Sequence, residues 1–251
     1  MRLVKIRHDG ETHWGMLEGE KVKLIEGTPY SGIAFTGEVI AFDETKLEAP
    51  CDATKVIAIG KNYYDHAVEM GGQAPEKPII FMKPTTSIIP HLGGIEYPSI
   101  SNRVDYECEL AFVIKKTARH VKAAHAAEYI LGYTCLNDVT ARDLQQLDGQ
   151  WIRAKGFDTF CPIGPVLTDE VDPAAGLKVQ TFLNGEMKQD STTDKLMWPV
   201  AELLEFITAC MTLHPGDVVT TGTPAGIGPM QKGDEVAVVV EGIGKLVNRI
   251  V

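Results

Sequence analysis

Long apolar runs are missing from this sequence. No stretch approaches the roughly 20 residues that a bilayer-spanning helix requires. The opening MRLVKIRHDG alternates apolar and basic residues and has no apolar core of a signal peptide. Cysteine is scarce and badly placed for cross-linking. The five residues Cys51, Cys108, Cys135, Cys161 and Cys210 are odd in number, widely spaced and without a C-x-x-C pair. That fits buried or inert thiols in a reducing compartment better than a disulfide framework or a zinc site. An excess of positive charge is also missing. Asp and Glu number 34 against 24 Lys and Arg, a formal net charge of -10, which argues against a nucleic-acid backbone as partner. It leaves room for an anionic small molecule if a metal or local cations compensate. Repeats and low-complexity tracts are absent as well. What is present is ordinary globular composition, 44% hydrophobic and 23% charged, in a chain long enough to bury a sizeable core without staples. The expectation is a soluble cytoplasmic protein with no membrane or nucleic-acid partner.

Patterning suggests an α+β protein. Residues 2–7 alternate, and WGMLEGEKVKLI contains two short runs about a turn. LEAPCDAT, with Pro50 as punctuation, reads as a linker. A small N-terminal β domain over 1–50 and a main domain over 51–251 follow. In the main domain KVIAIG, PIIFMKP and SIIP read as short strands and NYYDHAVEM as a helix stopped by Gly71-Gly72. DYECELAFVIKK is the longest strand candidate. AAHAAEYILGY reads as a helix ending near Gly132, and TCLNDVTARDLQQ as a strand running into a helix. LKVQTFLNGEMKQD is a hairpin about Asn184-Gly185, and WPVAELLEFITACMTL is an amphipathic helix with Pro199 in its first turn. Strands and helices do not alternate regularly, so a rolled mixed sheet with a few peripheral helices is expected rather than a doubly wound parallel sheet.

Glu107 and Glu109 stand two apart in the strand candidate and so point to one face, with Ala111 and Val113. Tyr106, Cys108, Leu110, Phe112 and Ile114 share the other. Apolar residues on both faces indicate burial on both sides. Two buried carboxylates side by side repel unless a cation lies between them, and oxygen-only ligands favour a hard ion such as Mg²⁺ or Mn²⁺. The plainer alternative is the wet end of an edge strand, and E-x-E alone favours it. Asp138, at a strand end before VTARD, is either a third ligand or a helix N-cap. His66 and Glu69, three apart on a helix, are either an oriented acid/base pair or a common surface pair. Lys155 reads equally as a surface lysine, and Arg142 as a partner of Asp138 or Asp143.

YECELAFVI, LGYTCLNDVTARDLQ, KGFDTFCPIGPVL, VVTTGTPAGIG and IGKNYYDHAVEMG, in that combination, resemble the fumarylacetoacetate hydrolase family, short bacterial type with a small N-terminal domain. The match is collinear from about Val56 to the C-terminus. The resemblance implies that Glu107, Glu109 and Asp138 ligate the metal, Mg²⁺ or Mn²⁺. It implies that His66 and Glu69 form an acid/base dyad and that Lys155 is an active-site cation. Arg142 and Gln145 become substrate-side groups, and Lys83 and Thr223 line the pocket. Many members carry Arg where this chain has Tyr64, which bears on the substrate's preferred length or charge. A homodimer is also implied.

These roles describe an enzyme acting on small anionic 2-oxo or 1,3-diketo acids. Such a substrate chelates a hard ion through adjacent carboxylate and keto oxygens, and the ion acts as a Lewis acid toward the enolate. Hydrolysis of an acylpyruvate or decarboxylation of oxaloacetate is the leading expectation. The alternative is an isomerase or decarboxylase of the 2-hydroxyhepta-2,4-diene-1,7-dioate type, from aromatic catabolism. A metal-stabilised binding module without activity is the rival from another class. Retention of His66, Glu69, Lys155 and all three carboxylates speaks against it.

Overall fold

The computed structural model describes residues 1–251. Alternation at the N-terminus produces an antiparallel meander of Arg2–His8, Glu11–Glu18, Lys21–Ile25 and Phe35–Ala41. Arg2–His8 also pairs with Cys161–Thr168, through Arg2 with Thr168 and Leu3 with Leu167. The meander therefore continues a sheet of the main body. That sheet has 12 strands and runs on through Ile130–Asn137, Cys108–Ile114, Val218–Thr220, Val56–Gly60 and Ile79–Lys83. Leu47–Glu48 still pairs with Arg2–His8, and the next strand begins at Val56.

A five-stranded sheet packs against it, in the order Glu186–Thr192, Lys178–Leu183, Glu235–Val240, Gly244–Ile250 and Gly94–Ile95. The hairpin turn is where the Asn-Gly pair predicts it. Asn184 and Gly185 both take positive φ, 51° and 82°, the twist a two-residue hairpin needs. The core follows from the two-sided burial of Cys108–Ile114. Cys108, Leu110, Phe112 and Ile114 meet Val179, Val238, Val240 and Leu246 of the five-stranded sheet and Leu203, Leu204 and Ile207 of the helix Val200–Cys210. Ala111 and Val113 face Leu3, Trp14, Leu136 and Leu167 on the other side. Phe112 is fully buried there, and Phe112→Ala would cost about 3–5 kcal/mol. This is an α+β fold of mixed sheets with few, short helices. No helix is long and apolar enough to cross a membrane.

Two expectations fail. DYECELAFVIKK is not one strand. Val104–Tyr106 belongs to a three-stranded sheet with Thr140–Ala141 and Gly228–Met230, Cys108–Ile114 belongs to the large sheet, and Glu107 lies at the break. AAHAAEYILGY is not a helix to Gly132. A 3-10 helix ends at Tyr129 and a strand starts at Ile130. Long pairing with Cys108–Ile114 outweighs the local alanine-rich preference. Gly132 serves strand packing, since a Cβ there would lie 2.9 Å from the Thr168 carbonyl oxygen.

Candidate active site

The strand break positions the carboxylates. Glu107 donates its N–H to Asn137 Oδ1 at 2.9 Å and accepts from the Asp138 N–H at 2.9 Å. The end of Ile130–Asn137 is thereby locked to the gap between the two short strands. Glu109 stands two residues on, in the large sheet. Glu107, Glu109 and Asp138 are all buried, and one ligand atom from each lies within 4.8 Å of the others. Asp138 is not the cap of the helix Arg142–Leu147, whose N-cap is Ala141.

Three buried cations answer these charges unevenly. Lys155 Nζ bridges Glu107 Oε2 at 2.8 Å and Asp138 Oδ2 at 2.6 Å. Lys83 donates to Asp138 Oδ1 and to the Val139 carbonyl. Arg142 pairs with Glu107 Oε1 and, through Nε at 2.9 Å, with Asp105. Burial alone would raise the pKa of Glu107, but the Lys155 and Arg142 charges outweigh it and hold the carboxyl well below its usual range. Burial would lower Lys155, yet Asp138 and Glu107 push it up. Glu109 differs. Its Oε2 accepts from the Thr220 hydroxyl and from the Gly222 N–H at 2.7 Å, with no cation in contact. Burial, joined by the charges of Asp138 and Glu107, drives its pKa well above the ordinary value.

The carboxylates open into a cavity of about 170 Å³, walled on one side by Phe81 and Trp151 in an edge-to-face pair with centroids 5.4 Å apart. His66, Arg142, Gln145, Lys155 and Thr223 line it too. His66 Nδ1 meets Glu69 Oε2 at 3.0 Å, leaving Nε2 for the cavity, and Glu69 Oε1 accepts from the Gly226 N–H at 2.9 Å. The dyad therefore ties the helix Tyr64–Glu69 to the glycine-rich loop after Val218–Thr220.

Some predicted positions land elsewhere. Lys83 does not line the cavity. It is fully buried behind Asp138, because Ile79–Lys83 pairs with Val56–Gly60 and points its last side chain under the strand end. Tyr64 lines a separate cleft with Tyr63, Asp65, Asp190, Ser191 and Lys195, and is 61% exposed. Arg142 and Gln145 do line the cavity, where Arg142 also clamps Asp105 and Glu107 and donates to Gln145 Oε1. Asp105, fully buried and also paired with Arg103, is not among the predicted residues, and neither are Lys61, Trp151 and Thr220. An aspartate directly before Y-E-x-E was the available signal for the first. The others carry none in sequence.

Residues 55–251 match the sequence model described as fumarylacetoacetate (FAA) hydrolase C-terminal. The chain belongs to the fumarylacetoacetate hydrolase family. Residues 1–50 match a second model, described as Rv2993c-like, N-terminal. Among solved structures of the family, the chain is 45% identical to 5-carboxymethyl-2-hydroxymuconate delta-isomerase from Mycobacterium smegmatis. That alignment covers 100% of this chain and 99% of the other, with a TM-score of 0.94. It is 33% identical to fumarylpyruvate hydrolase from Pseudomonas aeruginosa, solved in complex with Mn²⁺ and pyruvate, over 80% and 91% of the two chains at a TM-score of 0.76. Among sequences it is 38% identical to oxaloacetate tautomerase YisK from Bacillus subtilis, over 84% of this chain and 74% of the relative. Members of the family thus carry names from three reaction types on related chains.

Proposed function

We propose that this protein is a metal-dependent enzyme acting on a small 2-oxo acid, with Glu107, Glu109 and Asp138 holding Mg²⁺ or Mn²⁺. The observation that carries this reading is Glu109. A buried carboxylate beside two others, satisfied by a hydroxyl and an amide but by no cation, is costly unless an ion neutralises it. Three oxygen donors within 4.8 Å of one another suit a hard divalent ion. Such an ion would polarise the keto oxygen of a chelating substrate and stabilise the negative charge that develops there.

The remaining roles belong to the side chains. His66, oriented by Glu69, presents Nε2 to the cavity as the group that takes and returns a proton at the carbon next to the keto group. Lys155 and Arg142 keep Glu107 ionised, and Lys155 and Lys83 keep Asp138 in place. Phe81 and Trp151 exclude water from one wall. A cavity of about 170 Å³, below the several hundred Å³ typical of drug-sized sites, favours an acid of a few carbons. Keto–enol interconversion of oxaloacetate, the reaction named in the YisK relative, needs only these elements. It replaces carbon–carbon hydrolysis as the leading reading. Hydrolysis of an acylpyruvate is the second, supported by the fumarylpyruvate hydrolase neighbour. It requires in addition that His66 activate a water. The substrate is an anionic 2-oxo acid in either case, and we also propose a homodimer in the cytoplasm.

The test is turnover of oxaloacetate and acetylpyruvate with Mg²⁺ or Mn²⁺, each with and without chelator. Chelator-sensitive tautomerisation is expected. Turnover that survives complete chelation, or none of either acid with either metal, would sink the reading.

A further inference from the structure

Three cations line the cavity: Lys61, Arg142 and Lys155. Arg142 is committed to Asp105 and Glu107, and Lys155 to Glu107 and Asp138. The Lys61 ammonium makes no hydrogen bond and no ion pair, although Lys61 is among the residues lining the same small space. We propose that Lys61 is a specificity residue that binds the second carboxylate of a dicarboxylic 2-oxo acid whose chelating end lies at Glu107, Glu109 and Asp138. The proposal rests on the reading above and names its substrate class.

The position of this lysine is built rather than incidental. Lys61 has φ 55°, in the left-handed region that residues with a Cβ rarely occupy. The chain is clamped on both sides of it. Gly60 lies under Trp151, where a Cβ would come within 2.4 Å of the indole. Asn62 donates to the Trp198 and Thr221 carbonyls at 3.0 and 2.8 Å and accepts from the Trp198 N–H at 2.8 Å. A strained backbone held this firmly indicates that the side chain is being aimed. Its Nζ reaches the turn after the dyad helix, 3.2 Å from where a Cβ on Gly72 would sit. The ammonium thus stands at the rim where that helix ends. A larger residue at Gly72 would press on it. In a cavity this small, the far end of a four- or five-carbon diacid remains inside, within the field of the one cation not already neutralised.

Lys61→Gln and Lys61→Arg test this against the wild type, in two ways. In kinetics with Mn²⁺, oxaloacetate has a distal carboxylate and acetylpyruvate has a neutral tail. Lys61→Gln should raise KM for oxaloacetate by roughly 10- to 100-fold, the scale of one lost charge-assisted hydrogen bond. It should leave kcat within about threefold and leave acetylpyruvate untouched, and Lys61→Arg should restore most of the loss. In calorimetry with Mn²⁺, both carboxylates of oxalate chelate, whereas malate adds a distal one. Malate affinity should fall in Lys61→Gln and oxalate affinity should not. Equal losses on both acids, or none on either, overturn the assignment. If the wild type binds neither oxalate nor malate in the presence of Mn²⁺, the metal-site reading falls and takes this proposal with it. If it binds oxalate and the variant binds malate as well as the wild type does, only the Lys61 assignment falls.

Discussion

The paired strands Cys108–Ile114 and Val218–Thr220 carry a buried carboxylate at each end of their ladder, and the two ends are opposites. At one end Asp217, just before its strand, accepts from the N–H and hydroxyl of Thr54, the N–H and ammonium of Lys55 and the N–H of His214. Burial would raise its pKa, but these donors win and hold it below the ordinary value. At the other end Glu109 has a hydroxyl and an amide, two carboxylate neighbours and a raised pKa. The same strands therefore support a carboxylate that stabilises the fold and one that the fold merely tolerates. A cost that local packing does not relieve is a mark of a functional site.

Removing the strained carboxylate is the sharpest way to test the contrast and has the largest expected effect. Glu109→Gln should cut turnover by about 10³-fold or more, the several kcal/mol a lost metal ligand forfeits. In chelator its melting temperature should hold or rise, since a buried like charge has gone. A variant that melts much lower without metal would show Glu109 to be structural after all.

Asp217 should behave the other way. Asp217→Ala leaves buried donors without their acceptor and should cost about 3–5 kcal/mol, with turnover per folded molecule unchanged. Its pH dependence has a definite sign. A carboxyl with a depressed folded pKa contributes fully above its unfolded value of about 4. The contribution is lost as pH falls through the folded value. Denaturant titrations of wild type and Asp217→Asn should therefore diverge above about pH 4 and converge below it. Parallel curves down to the lowest pH would refute the assignment.

The sequence made one side of this contrast visible. The two apolar faces of Cys108–Ile114 were legible as alternation, and Glu107 and Glu109 as residues two apart on a buried strand. Asn184-Gly185 announced its hairpin. The break at Glu107 was not legible, because E-x-E inside an apolar run looks the same whether or not the chain changes sheets. The strand at Ile130 was hidden by an alanine-rich segment whose local preference is helical. The cations were the least readable. Lys83, Lys155, Arg142 and Lys61 come from four separate segments of the chain, and only tertiary packing decides which are spent on carboxylates and which is left free.

His66 lines the same cavity as Glu109 but comes from the helix Tyr64–Glu69, outside the ladder, so its loss should be more selective. His66→Ala should slow acylpyruvate hydrolysis by roughly 10²–10⁴-fold, as for a lost general base. Decarboxylation of oxaloacetate needs no attacking water and should fall less. Keto–enol exchange of oxaloacetate should slow on the same variant by a similar factor, because His66 is the group proposed to move that proton, and exchange at the wild-type rate would remove His66 from that role.

The smallest expected effect concerns motion, and it separates the two ends of the ladder once more. The helix Tyr64–Glu69 is six residues long, too short to persist without tertiary support. That support is one-sided: Tyr63, His66 and Ala67 are buried, but Tyr64 and Val68 are 61% and 53% exposed, and Glu69 holds the neighbouring loop through one bond to the Gly226 N–H. Gly71 follows with φ 71°, a conformation that lets the chain pivot. Residues 63–76 should therefore open readily on their own and close over a bound acid. Hydrogen exchange should be fast there in the free protein and slow by roughly tenfold or more with Mn²⁺ and oxalate, the ordinary scale for a local opening suppressed by binding. The segments 54–57 and 214–218 around Asp217 should exchange slowly throughout and not respond. Glu69→Gln should weaken the closure while leaving the Asp217 end unaltered. Equal protection of residues 63–76 with and without the ligand would remove the lid and leave the dyad a fixed part of the cavity wall.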